Sequence, residues 1–168
     1  MIFDLSINPR VFRNLRHCLA FGFGAGLAKK APGTWGTLAA VPFCALLMFL
    51  PVWLYALLLL AAFALGVWLC ETVAQDMRAH DHGGIVWDEM LGYWLTLFLA
   101  PINWVTILMA FVLFRLFDIW KPWPISWCDR HIHGGLGIML DDVLAGALAG
   151  VCLQALLWSG VLTDVMQR

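Results

Sequence analysis

Residues 31–70 read APGTWGTLAAVPFCALLMFLPVWLYALLLLAAFALGVWLC, a run of 40 residues without Lys, Arg, His, Asp or Glu. A bilayer is crossed by about 20 apolar residues in a helix, so the run is long enough for two spans. Pro51 sits where a hairpin turn would separate them, because proline breaks a helix interior. The stretch therefore predicts one helix over about 35–50 and a second from about 52 into the polar residues near 77. The apolar part of the second reaches about 28 Å at the helical rise, enough to cross. Two more uncharged runs, 90–114 and 143–163, predict the remaining embedded segments.

The rest of the chain agrees with lipid as its solvent. Of 168 residues, 62% are hydrophobic and 12% charged. Soluble domains carry about 45–50% and about 25%. The 21 charged side chains cannot cover a water-exposed particle of this size. A net charge of -1 excludes a nucleic-acid partner, which needs a basic stripe. The length predicts a single membrane-embedded domain over 1–168, with an interfacial N-terminal segment (1–28) and a helical core (29–160). The five cysteines include no CxxC pair and three lie in apolar stretches, as reduced thiols would. Arg10, Arg13 and Arg16 before an apolar stretch imitate a signal peptide, but Gly22, Gly24 and Gly26 weaken its helix and Lys29 and Lys30 stand where a cleavage site would be.

The run 90–114 is either one span kinked at Pro101 or a hairpin turning at Pro101 and Asn103. A hairpin places nine of the ten Lys and Arg on one side and leaves only Arg168 opposite; a single span splits them seven to three. The positive-inside rule favours the hairpin and puts the polar loops 76–89 and 115–142 together on the cytoplasmic face. The expected fold is all-α: a polytopic membrane protein, a compact bundle of about five helices, with further helices over about 86–100, 103–120 and 142–160. Pro122 and Pro124 stop the fourth near Lys121.

Nine of the eleven acidic residues lie between 71 and 142, beside the predicted membrane boundaries. A carboxylate deep in a bilayer costs about 2.5 kcal/mol or more, so such groups pair, face a cavity or hold an ion. Asp88 and Glu89 open the third predicted helix, Asp118 nears the end of the fourth, and Asp141 and Asp142 open the fifth. Hard oxygen ligands in that number suit Mg²⁺. The competing reading is that acids at helix N-termini complement the macrodipole. Arg115, Asp118 and Lys121 recur every three residues, as a salt-bridge ladder or as a carboxylate flanked by two phosphate ligands.

Two glycine-rich turns, 32–37 and 134–137, precede predicted helices and can aim backbone N–H groups at an anion; glycines also serve tight turns and close packing. Lys29 and Lys30 beside the first turn fit either phosphate binding or membrane anchoring. The runs His80/His82 and His131/His133 lack the partners of a tetrahedral zinc site. His133 or His82 can serve as a general acid or base, against a plain structural role in a polar loop. Tryptophans 120, 123 and 127 fit an interfacial belt. There is no nucleophile elbow or Walker loop, and Cys128 has Gly134 where a thiol phosphatase would need arginine.

Four segments together, KKAPGTWGTL (29–38), HDHGGIVWDE (80–89), FRLFDIWKPWPI (114–125) and DRHIHGGLGIMLDD (129–142), resemble the phosphatidylglycerophosphatase A family, over roughly residues 20–150. The resemblance implies a Mg²⁺-dependent hydrolase of the bacterial inner membrane. Its phospholipid substrate, phosphatidylglycerophosphate, would lose its terminal phosphate to give phosphatidylglycerol. On this basis Asp88, Glu89, Asp118, Asp141 and Asp142 are expected to hold the metal, and Asp88, Glu89, Asp118, Asp142 and His133 to be catalytic. Lys30, Gly33, Thr34, Arg115, Lys121 and Arg130 are expected to bind the phosphate. Whether water or an aspartate attacks, and the oligomeric state, are left open. The rival class is a small ion-coupled transporter or channel subunit with carboxylates along an ion path, which predicts polar residues inside the spans. A CDP-alcohol transferase lacks its Asp-Gly-x-x-Ala-Arg motif here.

Overall fold

The computed structural model describes residues 8–78 and 82–159, and over them the chain is helical without a strand. In order the elements are α1 (Asn8–Arg13), α2 (Leu15–Ala20), a 3-10 helix (Gly22–Leu27), α3 (Pro32–Leu47), α4 (Val52–Met77), α5 (Trp87–Thr96), α6 (Trp104–Trp120), α7 (Ile125–His131) and α8 (Gly134–Trp158). The expected five helices give way to nine among the described residues. The five longer ones correspond to the five expected helices, with ends moved in α3, α5 and α8, while the N-terminal stretch and the segment after Pro122 coil into short helices of their own.

The boundaries follow local chemistry. Asn103 accepts from the Val105 and Thr106 N–H groups at 3.0 and 3.1 Å while Thr106 Oγ1 accepts from the Asn103 N–H, a reciprocal cap that starts α6. Lys121 ends it in the left-handed region at φ +45°, costly for a residue with a Cβ. The expected helix over 86–100 is shorter, because the chain turns through Leu99 at φ +65°. The expected start of the last helix near 142 is corrected to Gly134, so Asp141 and Asp142 lie in its third turn and do not open it. The macrodipole explanation therefore fails for that pair, since the effect fades within the first turn.

Helix α8 is the packing centre, touching α4, α5, α6 and α7. Its closest approach is to α5, where a Cβ built on Gly146 would lie 2.4 Å from the Gly92 carbonyl oxygen. Gly146 and Gly150 form a small-xxx-small stripe of the kind that brings apolar helices together. Across α5 and α6, Tyr93 donates to the Ile107 carbonyl at 2.9 Å, Gly92 abuts Phe114, and Glu89 and Arg115 both reach Gly33. Numbers rise on one helix as they fall on the other, so 90–114 is an antiparallel hairpin. Buried aromatic tips are satisfied by main-chain carbonyls: Tyr55 to Trp94 at 2.7 Å, Trp87 to Ala62 at 3.0 Å and Trp94 to Ala40 at 3.1 Å.

Many large apolar side chains lie on the outside. Leu108, Val112 and Leu116 form an exposed row on α6, and Trp53, Leu57, Leu60 and Trp68 do so on α4. Helices α4 and α8, 26 and 25 residues, are long and apolar enough to cross a membrane.

Candidate active site

The first turn of α5, the third turn of α8, the last turns of α6 and the N-terminus of α3 converge at one place. Each of Asp88, Glu89 and Asp142 presents a carboxylate oxygen there, all within 4.8 Å of one another. Asp118 is a close charged neighbour of both Glu89 and Asp142. Asp88 and Asp142 are buried, and Asp88 Oδ1 and Glu89 Oε2 are sequestered without a hydrogen-bond partner. Like charges about 4 Å apart repel by roughly 4 kcal/mol at an effective dielectric near 20. Orphaned hard oxygens under mutual repulsion are what a divalent cation of the Mg²⁺ type would relieve, so the donor set fits such an ion.

Asp141 departs from the expected ligand set. Successive residues on a helix point about 100° apart, so its side chain leaves Asp142 and meets Lys121 Nζ at 2.6 Å. Lys121 also holds Asp129 at 2.5 Å. The expected phosphate ligand Lys121 is thus a clamp between α6, α7 and α8. Burial alone would lower its pKa, but the two carboxylates raise it above the ordinary lysine value. A raised lysine contributes its full stabilisation below its unfolded pKa, so the clamp stays cationic throughout the neutral and mildly alkaline range. Replacing Lys121 with methionine should release Asp129 and Asp141 and cost about 1–3 kcal/mol of stability, and arginine should restore most of it. Thermal unfolding of the detergent-solubilised protein checks this.

Arg115 Nη1 lies 2.5 Å from Asp118 Oδ2, an ion pair without hydrogen-bonding angles, since Nη1 and Nε have no hydrogen-bond partner. Gly33 is pressed against this pair: a Cβ there would sit 2.1 Å from Glu89 Oε1 and 3.0 Å from Arg115 Nη1. The 32–37 segment is the first turn of α3 and does not precede it. Its donors are mostly spent, because Pro32 has none and the Thr34 and Trp35 N–H groups both return to the Ala31 carbonyl at 3.0 and 3.3 Å. That leaves the Gly33 N–H.

The 134–137 turn is likewise inside α8, and the Gly135 N–H donates to Glu71 Oε2 at 2.6 Å. The anion at that helix start is a carboxylate of the chain itself, whose role sequence reasoning missed. Glu71 follows the uncharged stretch of α4, six residues before that helix ends, and its partner is 64 residues away, so only the acid itself was visible. Lys30 and Arg130 are exposed and make no ion pair among the described residues. Thr34 is half-buried. Among the described histidines, His131 stacks on Trp127 with ring centroids 4.8 Å apart. His133 lines a cavity of about 120 Å³ together with Asp88, Asp129 and Asp141. His82 lies in a separate cavity, and no described histidine joins the three carboxylates, which leaves the zinc reading without support. His80 and Asp81 lie outside the described residues.

The fold and site define a helical protein of apolar exterior with a centre of converging carboxylates whose donor set fits a divalent cation. A family model described as phosphatidylglycerophosphatase A matches residues 18–157. Phosphatidylglycerophosphatase A of Escherichia coli (strain K12) is 53% identical over 147 residues, 87% of this chain and 86% of that protein. The protein of the same name from Haemophilus influenzae is 46% identical over 142 residues, covering 83% and 87%. A Bacteroides thetaiotaomicron protein provisionally named phosphatidylinositol-3-phosphatase is 36% identical over 146 residues, covering 82% and 90%. No solved structure matches. The chain belongs to the phosphatidylglycerophosphatase A family.

Proposed function

We propose that the protein removes the terminal phosphate of phosphatidylglycerophosphate, yielding phosphatidylglycerol and inorganic phosphate in phospholipid synthesis, with Mg²⁺ held by Asp88, Glu89 and Asp142. The observation that carries the reading is the set of three converging carboxylates, two with orphaned oxygens, in a chain 53% identical to a phosphatase of that name. When bound, Mg²⁺ neutralises and polarises the phosphoryl oxygens. Arg115 places a guanidinium beside the carboxylates, where it offsets charge on the transferring group. Asp118 holds Arg115 in place and completes the acidic wall. His133, on the same cavity as Asp88, donates the proton to the leaving glycerol oxygen. Lys121 positions Asp141 and Asp129 and is not assigned to the phosphate. Lys30, Thr34 and Arg130 are close in sequence to the site and contact the headgroup only from its rim.

The domain is a single multi-pass unit in the bacterial inner membrane, its N-terminal 28 residues at the interface and the site on the cytoplasmic face. Support comes from the apolar exterior, the two membrane-length helices and the hairpin, which by the charge count leaves nine of the ten Lys and Arg on one side. The transporter reading has no support, as the relatives carry phosphatase names. Purified protein in detergent micelles should release phosphate from phosphatidylglycerophosphate with Mg²⁺ and stop on chelation. Release unaffected by chelator would remove the metal from the mechanism, and no release from folded protein would remove the reaction.

A further inference from the structure

A second polar cavity, of about 300 Å³, is lined by Phe21, Leu27, Lys29, Pro32, His82 and Gly84 among others, and shares no residue with the carboxylate cluster. Two chain segments join cavity to cluster. One passes Lys29 and Pro32 in the cavity wall before Gly33 reaches Glu89 and Arg115. The other leaves His82 and Gly84 and reaches Asp88 and Glu89 at the start of α5. Neighbouring Cα atoms are 3.8 Å apart, so cavity and cluster flank the same turn of α3.

The walls are fixed by backbone contacts. A Cβ on Gly26 would lie 1.9 Å from the Gly84 carbonyl oxygen, the Ile85 N–H donates to the His82 carbonyl at 2.7 Å, and the Val86 N–H to the Ala20 carbonyl at 2.8 Å. The polar side chains are donors. Lys29 brings an ammonium group, and His82 Nδ1 accepts from the Gly84 N–H at 3.1 Å, which puts the proton of the neutral ring on Nε2. Among the described residues no carboxylate lines this cavity, whereas Asp88, Asp129 and Asp141 line the one at the cluster. The described lining of the first thus suits an anion.

We infer that this cavity takes the phosphodiester of the lipid headgroup, with Lys29 as its counter-charge and His82 as its hydrogen-bond donor, while the phosphomonoester lies at the carboxylates. The inference rests on the lipid phosphatase reading. A headgroup carrying two phosphates separated by a short polyol is then held at both ends. A lipid with a phosphomonoester but no phosphodiester is held at one, so the cavity sets selection among lipid phosphomonoesters.

The test uses full-length protein with Lys29→Met, Lys29→Arg and His82→Gln. For phosphatidylglycerophosphate, Lys29→Met should raise KM about tenfold with kcat unchanged, as expected for losing one charge-assisted contact to a bound group, and Lys29→Arg should restore it. His82→Gln should raise KM by a smaller factor. Inhibition by phosphatidylglycerol, which keeps the phosphodiester, should weaken in step with KM; inhibition by inorganic phosphate should not change. Unchanged KM in both variants overturns the assignment. So does weakened inhibition by inorganic phosphate, which would put Lys29 on the reacting group. Retention of phosphatidylglycerol by the detergent-solubilised protein, read by native mass spectrometry, needs no turnover. Retention that falls in Lys29→Met supports the cavity even if wild type releases no phosphate, an outcome that would sink the reaction alone; retention equal in both proteins counts against it.

Discussion

Asparagine in place of Asp142 should abolish phosphate release and, in the same protein, raise its stability when no divalent cation is present. The residue is 4% exposed and a carboxylate oxygen of its side chain stands within 4.8 Å of one from Asp88 and one from Glu89, with Asp118 beside them. Asparagine keeps the shape and removes one negative charge from a group that repels itself, a change that should stabilise the cation-free protein by about 1–2 kcal/mol. On the proposed reading the same change removes a ligand oxygen, and losing a preorganised electrostatic contact at the reacting centre costs about a hundred- to a thousandfold in kcat. A third signature is lost protection: Mg²⁺ should raise the melting temperature of the wild type, because it binds the folded state, and should leave Asp142→Asn unmoved. Thermal unfolding in detergent with and without Mg²⁺, beside a phosphate-release assay, reads all three. A variant that loses activity and stability together would mark Asp142 as a structural residue.

Gly146→Val carries the largest expected effect on the fold. The atom that a Cβ would meet is the Gly92 carbonyl oxygen at 2.4 Å, which cannot rotate away as a side chain can. The two helices must separate, and the separation reaches the site, because Asp142 is one turn from Gly146 on α8 and Glu89 nearly one turn from Gly92 on α5. Overpacking at a close contact costs about 1–3 kcal/mol, and a β-branched side chain against a helix backbone belongs at the upper end. The variant should melt well below wild type and lose phosphate release. Gly83→Ala is the control, since a Cβ there meets nothing within 4 Å and should leave melting unchanged. Wild-type melting in Gly146→Val would show that α5 and α8 do not pack as described.

What was legible in the sequence was whatever a charge or a proline marks. Helix α4 begins after Pro51 and α6 ends before Pro122, both as read from the chain. The start of α8 was hidden because Gly134, Gly135 and Gly137 are poor helix formers and read as a turn. They are tolerated because packing requires them: a Cβ on Gly135 would lie 2.1 Å from the Val67 carbonyl oxygen, and one on Gly137 2.2 Å from that of Ile132. The acidic residues were legible as a group but not their partners. Asp141 and Asp142 are adjacent in sequence and answer to different neighbours, a difference set by where α6 and α5 stand around α8. Lys121 read only as a candidate phosphate ligand because its partners in the structure, Asp129 and Asp141, are brought to it by the turn through α7.

The central claim, that Asp88, Glu89 and Asp142 form a divalent-cation site, is tested most directly with Mn²⁺, which shares the preference of Mg²⁺ for hard oxygen ligands. Electron paramagnetic resonance of Mn²⁺ titrated into the detergent-solubilised protein should show the free-ion signal suppressed by the wild type, restored by excess Mg²⁺, and unsuppressed by Asp142→Asn. Suppression of equal strength in wild type and Asp142→Asn, or none in folded wild type, would contradict it.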